Sequence, residues 1–198
     1  MYICINKSTM KNIIILLSII FSLYSCELDF SKNKSVQKSE VIVEIVGLND
    51  YCEEDLEIIK STLENFYGFE CKISEPVSLN LSSCETAQYE LGQKDYFDYV
   101  DGEKIVIYAT NDDLYSTTLN NSVQGLCYGN QVYLKSNIVY DRQSSIDLIK
   151  VSAIHEVAHS FGLQHCKNTC IMNNESFEYW DSQNDKPIFC SDCKSKLP

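Results

Sequence analysis

Apolar positions along the chain predict alternating strands and helices. Residues 41–46 are apolar at every position except Glu44 and are typical of a buried strand. Residues 53–67 instead repeat apolar side chains at helical spacing, namely at Leu56, Ile59, Leu63 and Phe66. Because acidic residues favour the start of a helix and glycine favours its end, we expect this helix to stop at Gly68.

The pattern continues with further strands and a second long helix. Strands are expected over 71–79, over 104–109 and in two stretches of 123–135 that Gly125 and Gly129 interrupt. Pro76 indicates an edge or irregular strand position. Residues 144–161 predict a helix that Ser144 can cap, and the polar residues 82–102 predict a loop with room for a short helix. This order is typical of an α/β or α+β fold, and we expect the α+β class, in which a mixed twisted β-sheet packs on two long helices and a cysteine-rich C-terminal subdomain follows.

The segment before these elements is typical of an export signal. Lys11 follows Met10, which is a better signal start than Met1, and Ile13 to Tyr24 are nearly all apolar. This run is too short to span a membrane, which takes about twenty residues. The alternative is a buried N-terminal helix, which the missing polar face disfavours.

The end of this signal resembles a bacterial lipobox, with Leu23 three residues before Cys26 and a small residue directly before it. The resemblance implies cleavage before Cys26 and lipidation of that cysteine. Residues 1–25 would then be the signal peptide, 26–40 a lipid-anchored linker and 41–198 a single catalytic domain. Glu27, where aspartate would indicate retention in the inner membrane, favours the outer membrane of the cell envelope. The alternative is ordinary signal cleavage nearby, with Cys26 left as a thiol.

Composition and charge argue against nucleic-acid binding and indicate a metal site. The 198 residues carry 16 basic and 28 acidic side chains, a net charge of −12, so a basic footprint for nucleic acid is missing. The chain has 10 cysteines and only 3 histidines, and all the histidines lie between His155 and His165. Histidine used at a single place indicates a metal site.

The histidines belong to the run HEVAHSFGLQH. His155 and His159 lie four residues apart on the predicted helix and therefore on one face, where they can share a zinc ion. Gly162 can end the helix with a positive φ and bring His165 round as a third ligand. Three protein ligands with one open position is the pattern of catalytic zinc.

Glu156 completes the catalytic set, because it follows His155 and can reach a water molecule at the metal. These residues predict a zinc-dependent peptidase that hydrolyses peptide bonds with a zinc-activated water and Glu156 as general base. Two alternatives stay open. One is a non-catalytic zinc-binding module that holds peptides on its surface, and the other is a zinc hydrolase of a non-peptide amide.

The extended motif HExxHxxGxxH marks the metzincin clan, and the residues after it resemble the archaemetzincin family. In that family the third histidine is followed by two cysteines, a methionine and a CxxC pair, here Cys166, Cys170, Met172, Cys190 and Cys193. The spacing of seventeen residues between Met172 and Cys190 matches, whereas the first two cysteines have three residues between them instead of four. The resemblance covers about residues 104–193.

The resemblance implies a metzincin-like fold and further site residues. Met172 would form the Met-turn beneath the zinc histidines, and residues 123–135 would supply the upper edge strand of the substrate cleft. Cys166, Cys170, Cys190 and Cys193 would bind a second, structural zinc, which agrees with four thiolates in two close pairs. In an exported protein the same four cysteines could instead form two disulfides.

Four more cysteines could also pair. Cys52 and Cys71 flank a helix roughly 20 Å long and should not meet, whereas the strand after Cys71 returns Cys84 toward Cys52. We therefore predict the disulfides Cys52–Cys84 and Cys71–Cys127, with buried free cysteine as the alternative.

The expected partners are a peptide or protein substrate and a membrane through the lipid anchor, and the chain is expected to act as a monomer without nucleic acid.

Overall fold

The computed structural model describes residues 41–92, 104–136, 142–173, 180–181 and 186–198. The predicted signal segment 1–25, Cys26 and the predicted linker 26–40 lie outside these residues. A five-stranded sheet contains β1 (Ile42–Leu48), β2 (Glu70–Val77), β3 (Lys104–Thr110), β6 (Gly125–Tyr128) and β7 (Gln131–Lys135). The order is β2-β1-β3-β7-β6, with parallel pairing throughout except for β6, which runs antiparallel to β7. The predicted mixed sheet is therefore confirmed, and it is mostly parallel.

Both faces of this sheet are buried, because alternate side chains of the central strands enter two different cores. Val43 and Ile45 of β1 lie in a large core on one face, whereas Val46 and Leu48 lie in a smaller core on the other. The strands β3 and β7 alternate in the same way. Continuous apolar runs, rather than alternating ones, are the expected sequence pattern for such strands.

Two long helices, α1 (Glu53–Tyr67) and α3 (Arg142–Ser160), cover the face with the larger core. The first has the predicted bounds, and Gly68 ends it in the left-handed conformation with φ 72° while its N–H donates to the Glu64 carbonyl. The second begins at Arg142, so Ser144 lies inside its first turn and the prediction that Ser144 caps it was wrong. No helix within the described residues is long and apolar enough to cross a membrane.

A short helix, α2 (Cys84–Gly92), covers part of the opposite face, within the region where the sequence left room for one. The hairpin of β4 (Leu114–Ser116) and β5 (Asn121–Val123) follows β3 and leads directly into β6. A two-residue pairing of β8 (Trp180–Asp181) with β9 (Lys186–Pro187) and the short helix α4 (Ser191–Lys194) complete the described elements.

The edge positions in the sheet follow from the sequence of its strands. Pro76 lies in β2, which is an edge strand as predicted, and the pairing of β2 with β1 shifts register at this point. Proline lacks the N–H that an interior strand would need for pairing on both sides. At the other edge, β7 is the only strand of the described residues that pairs with β6, so among these residues the second side of its backbone has no strand partner.

The carboxylate of Glu85 on α2 holds the β4–β5 hairpin to this helix. It accepts hydrogen bonds from the Ser116 hydroxyl at 2.6 Å and from the amides of Thr117 and Thr118 at 3.0 and 3.1 Å. Burial alone would raise the pKa of Glu85, but these hydrogen bonds outweigh it and hold the pKa at about 2.

We expect Glu85→Gln to lower the free energy of unfolding by about 1–2 kcal/mol at pH 7, because hydrogen bonds to a charged acceptor are lost at a partly solvated site. The folded-state pKa of about 2 lies below the ordinary value of 4.5, so this stabilisation is complete above pH 4.5 and is lost as the pH falls toward 2. Urea unfolding at pH 7 and pH 3 measures both effects. Glu90→Gln, at an exposed position of the same helix, is the control, and a difference from wild type that is equal at both pH values would contradict the assignment.

Candidate metal centre

The turn after α3 brings the third histidine back to the other two. Gly162 has φ 82° and its N–H donates to the His159 carbonyl at 2.8 Å, while the Leu163 N–H donates to the Ala158 carbonyl at 3.3 Å. These two bonds form the Schellman motif, which needs a left-handed residue at the glycine position. The chain therefore reverses directly after the helix and returns His165 to the face that carries His155 and His159.

Backbone carbonyls orient the two helix histidines. The Nδ1 atom of His155 lies 2.6 Å from the Ile171 carbonyl oxygen, and Nδ1 of His159 lies 2.6 Å from the Leu163 carbonyl oxygen. A carbonyl can only accept, so each Nδ1 carries the hydrogen and donates it. Each Nε2 is therefore left with a free lone pair, which is the form in which imidazole binds metals.

The three Nε2 atoms converge on one point. Their separations are 3.1 Å between His155 and His159 and 3.2 Å from His165 to each of these. Burial lowers the pKa of His155 to about 3 and that of His159 to about 4, and it also lowers the pKa of His165, so all three are neutral near pH 7. Two lone pairs held this close repel unless a cation lies between them. Tetrahedral zinc at bond lengths of about 2.0–2.1 Å places its nitrogen ligands about 3.3 Å apart, so the residues present fit zinc.

Glu156 follows His155 on α3, and its side chain lies against the edge strand β6. An added Cβ at Gly125 would lie 2.6 Å from the Glu156 Cγ and 2.7 Å from its Oε1, so the strand backbone packs directly on this carboxyl group. Burial raises the pKa of Glu156 to about 8. A cation at the three histidines would favour the ionised carboxylate and lower this pKa again.

A second cluster brings together the four C-terminal cysteines. The sulfur atoms of Cys166, Cys170, Cys190 and Cys193 all lie within 4.8 Å of one another and are free thiols. The Cys170 sulfur accepts from the Met172 and Cys190 amides at 3.5 and 3.4 Å. Hydrogen bonds from the Cys193 backbone and from Asn168 lower the pKa of Cys190 to about 6, as suits a thiolate ligand.

The two clusters share one short segment, residues 165–172. His165 belongs to the histidine cluster and Cys166 to the cysteine cluster, and the Cys166 N–H donates to the Met172 carbonyl at 2.9 Å. The Ile171 carbonyl that orients His155 lies between Cys170 and Met172, and the Ile171 N–H donates to the Ile188 carbonyl at 2.7 Å. Met172 itself is fully buried in the larger core. The conformation of residues 165–172 therefore determines both the position of the cysteines and the orientation of His155.

The disulfides predicted from the sequence are not formed, and Cys52, Cys71, Cys84 and Cys127 are free thiols. Cys71 and Cys127 lie on the two opposite edge strands, four strand spacings or roughly 19 Å apart, so this pairing was wrong. Cys84 is buried in the smaller core under α2, whereas Cys52 directly precedes α1 on the opposite face of the sheet. The sequence argument placed the first strand and helix correctly, but it expected the strand after Cys71 to return Cys84 toward Cys52, and the strand instead leads to the opposite face of the sheet.

Sequence reasoning missed three contributors to the site. The carbonyls of Leu163 and Ile171 orient the histidines, but any residue type offers a carbonyl, so no sequence signal marks them. Gly125 did have a signal, because it interrupts an otherwise β-like stretch. Its contact with Glu156 gives that interruption a physical reason.

Comparison with known proteins agrees with this fold and site. The sequence pattern of peptidase family M54 matches residues 90–198. The chain is 30% identical to an archaemetzincin of Nanoarchaeum equitans over 142 residues, which cover 68% of this chain and 78% of that protein. It is also 43% identical to an archaemetzincin of Archaeoglobus fulgidus over 47 residues, 23% of this chain and 28% of that protein.

Solved structures share the fold. A zinc-dependent peptidase from Methanocorpusculum labreanum aligns with a TM-score of 0.58 at 17% identity, covering 79% of this chain and all of that one. Archaemetzincin from Methanopyrus kandleri aligns with a TM-score of 0.58 at 20% identity, covering 82% of this chain and 96% of that one. The protein is thus a zinc metallopeptidase. It belongs to peptidase family M54, the archaemetzincins.

We expect the four cysteines outside the cluster to react as thiols. Denaturation without reductant followed by alkylation and peptide mass spectrometry should find Cys52, Cys71, Cys84 and Cys127 all labelled. In the native protein Cys71 and Cys84 should label slowly, because burial raises the pKa of each to about 12. A cross-linked peptide pair joining any two of these residues would contradict the structure.

Proposed function

We propose that the protein hydrolyses peptide bonds at the three-histidine centre, with His155, His159 and His165 as zinc ligands and Glu156 as general base. The observation that carries this proposal is the convergence of three histidine Nε2 atoms, with the side chain of Glu156 on the same helix packed against the edge strand β6. A structural site would be closed by a fourth protein ligand, whereas the described residues place only three at this point.

In the proposed reaction Glu156 moves the proton. Zinc, when bound by the histidines, supplies a Lewis acid that makes water more acidic and polarises the scissile carbonyl. The Glu156 carboxylate accepts a proton from the attacking water as its oxygen bonds to the carbonyl carbon. It then delivers that proton to the amide nitrogen as the carbon–nitrogen bond breaks. The products are a free carboxyl group and a free amine, and Glu156 returns to its ionised form.

The open edge of β6 supports peptide main chain as the recognised feature. Gly125 stands opposite Leu134, and the Lys135 N–H donates to the Gln124 carbonyl one residue away at 2.8 Å. In an antiparallel ladder this register makes Gly125 and Leu134 a non-hydrogen-bonded pair, so the Gly125 N–H and C=O point away from β7. An extended peptide can add to this edge as a further strand next to Glu156.

The cysteine cluster supports a second, structural zinc. Its four sulfurs form a closed set, and amide hydrogen bonds to Cys170 are of the kind that stabilise thiolates. We propose that this zinc keeps residues 165–172 in place and thereby holds the Ile171 carbonyl against His155. Met172 is proposed as the Met-turn residue, which its complete burial suits.

Export and lipid anchoring stay proposals that rest on the sequence. The signal segment 1–25 and the cysteine at position 26 support a lipoprotein of the cell envelope, with residues 26–40 as linker and 41–198 as one catalytic domain. A monomer that meets peptide or protein substrates outside the cytoplasm is consistent with these features.

Replacing the proposed base tests the proposed function. Glu156→Gln should lower kcat by about 100-fold or more, because general-base catalysis contributes about 10²–10⁴-fold, while zinc content stays at the wild-type level. The assay uses a pool of internally quenched fluorogenic peptides and elemental analysis of the same samples. Glu57→Gln, an exposed position on α1, is the matched control. A zinc-loaded wild-type protein that cleaves no peptide of the pool would favour the non-catalytic binding module.

Metal counting tests the two ligand sets separately. We expect two zinc ions per wild-type chain and one in His159→Ala. Cys193→Ser should lose the other ion, and it should also release zinc from the histidines faster to a chelator, because residues 165–172 link the clusters. Cys127→Ser, outside both clusters, should keep both ions. One zinc per wild-type chain together with disulfides among the four clustered cysteines would overturn the structural site.

A further inference from the structure

The edge strand touches the proposed base at a residue without a side chain. A Cβ built on Gly125 would lie 2.6 Å from Cγ, 2.7 Å from Oε1 and 2.9 Å from Cδ of Glu156. Carbon atoms in folded proteins do not approach this closely, since contacts become favourable only at about 3.5–4.0 Å. Gly125 is not among the glycines with positive φ, so its backbone conformation does not require glycine. What requires it is the space that the Glu156 side chain fills.

The backbone on each side of this contact is held in place. β6 is paired with β7, whose Leu134 lies opposite Gly125 and is buried in the larger core. Two residues along, the Cys127 sulfur lies 3.4 Å from the Ser160 hydroxyl at the end of α3. The helix is held in turn by the hydrogen bonds of His155 and His159 to backbone carbonyls. Neither the strand nor the helix can therefore yield easily to a larger residue at position 125.

The movable part of the contact is the Glu156 side chain itself. The three atoms nearest to an added Cβ all lie beyond the Glu156 Cβ, and they can be displaced by rotation about side-chain bonds. Because Cγ is the nearest of them, a methyl group at position 125 would force a change of χ1 and turn the carboxyl group away from its present place against the edge strand. This separates an effect on the reaction from an effect on folding.

We propose that Gly125 is a positioning residue for hydrolysis, whose missing side chain leaves the pocket in which the Glu156 carboxyl group is held against the edge strand. The proposal rests on the proposed role of Glu156 as general base. In addition, the strand β6, on which the peptide substrate is proposed to bind, also determines where the Glu156 carboxyl group points. The same backbone would then position both the peptide and the base.

Gly125→Ala and Gly129→Ala form the matched pair that tests this. Gly129 follows β6 in the turn to β7, with φ 63° and no atom within 4 Å of an added Cβ, so its substitution strains the turn without touching Glu156. Gly125→Ala should keep its thermal midpoint, both zinc ions and KM within about threefold, and lose about 100-fold in kcat, the loss that a misplaced group of about 1 Å produces. Gly129→Ala should lower the thermal midpoint and keep kcat.

A double-mutant cycle with Glu156→Ala shows whether Gly125 acts through the base. Alanine lacks the Cγ, Cδ and Oε1 atoms that an added Cβ at position 125 would meet, so Gly125→Ala should cost less than about threefold in the residual kcat of that background. An equal loss in both backgrounds, or a Gly125→Ala variant with wild-type kcat, would overturn the proposal. If Glu156→Gln keeps full activity, the proposed function fails instead, which is a different result.

Crystal structures of the zinc-loaded wild type and Gly125→Ala provide a readout without activity. We expect the strand and the three histidines to superimpose and the Glu156 side chain to occupy a different rotamer in the variant. An unchanged Glu156 side chain, or a strand displaced from α3, would overturn the proposal whatever the kinetics show.

Discussion

Two hydrogen bonds from histidine rings to backbone carbonyls are the constraint on which the metal centre depends. Each ring donates from Nδ1, to Ile171 or to Leu163, and this leaves both Nε2 lone pairs facing one point. Because burial lowers the pKa of both rings, they stay neutral and cannot relieve the repulsion by taking up a proton. Lone pairs that face one point at about 3 Å are therefore suited to a cation between them.

The two carbonyls belong to different structural elements, a helix-ending turn and a cysteine-containing loop. The Leu163 carbonyl is presented by the Schellman turn at Gly162, so the residue that ends the helix also orients His159. The Ile171 carbonyl belongs to the loop that carries Cys166 and Cys170. The position of this loop therefore affects the orientation of the His155 ring. The mostly parallel sheet contributes a third element to the site. This element is the antiparallel edge strand β6, which packs directly on Glu156.

Local signals predicted some elements closely and others poorly. The bounds of α1 followed from its apolar spacing and from Gly68, because an amphipathic helix and a left-handed stop are both encoded within one segment. The β4–β5 hairpin was not predicted, since three-residue strands with exposed polar residues lack a clear period. The disulfide pairing failed for another reason. It required the strand order β2-β1-β3-β7-β6, which local patterns do not contain.

The sequence by itself determined which histidines could meet at one point, because the spacing of the three histidines and Gly162 is a local property of a helix and its final turn. Membership of the family follows from the same residues. Only the tertiary structure decided that the Ile171 carbonyl orients His155, that Cys71 and Cys127 stand at opposite edges of the sheet, and that Gly125 packs on Glu156. These relations join separate segments of the chain, so they depend on the strand order of the sheet and on which face each helix covers.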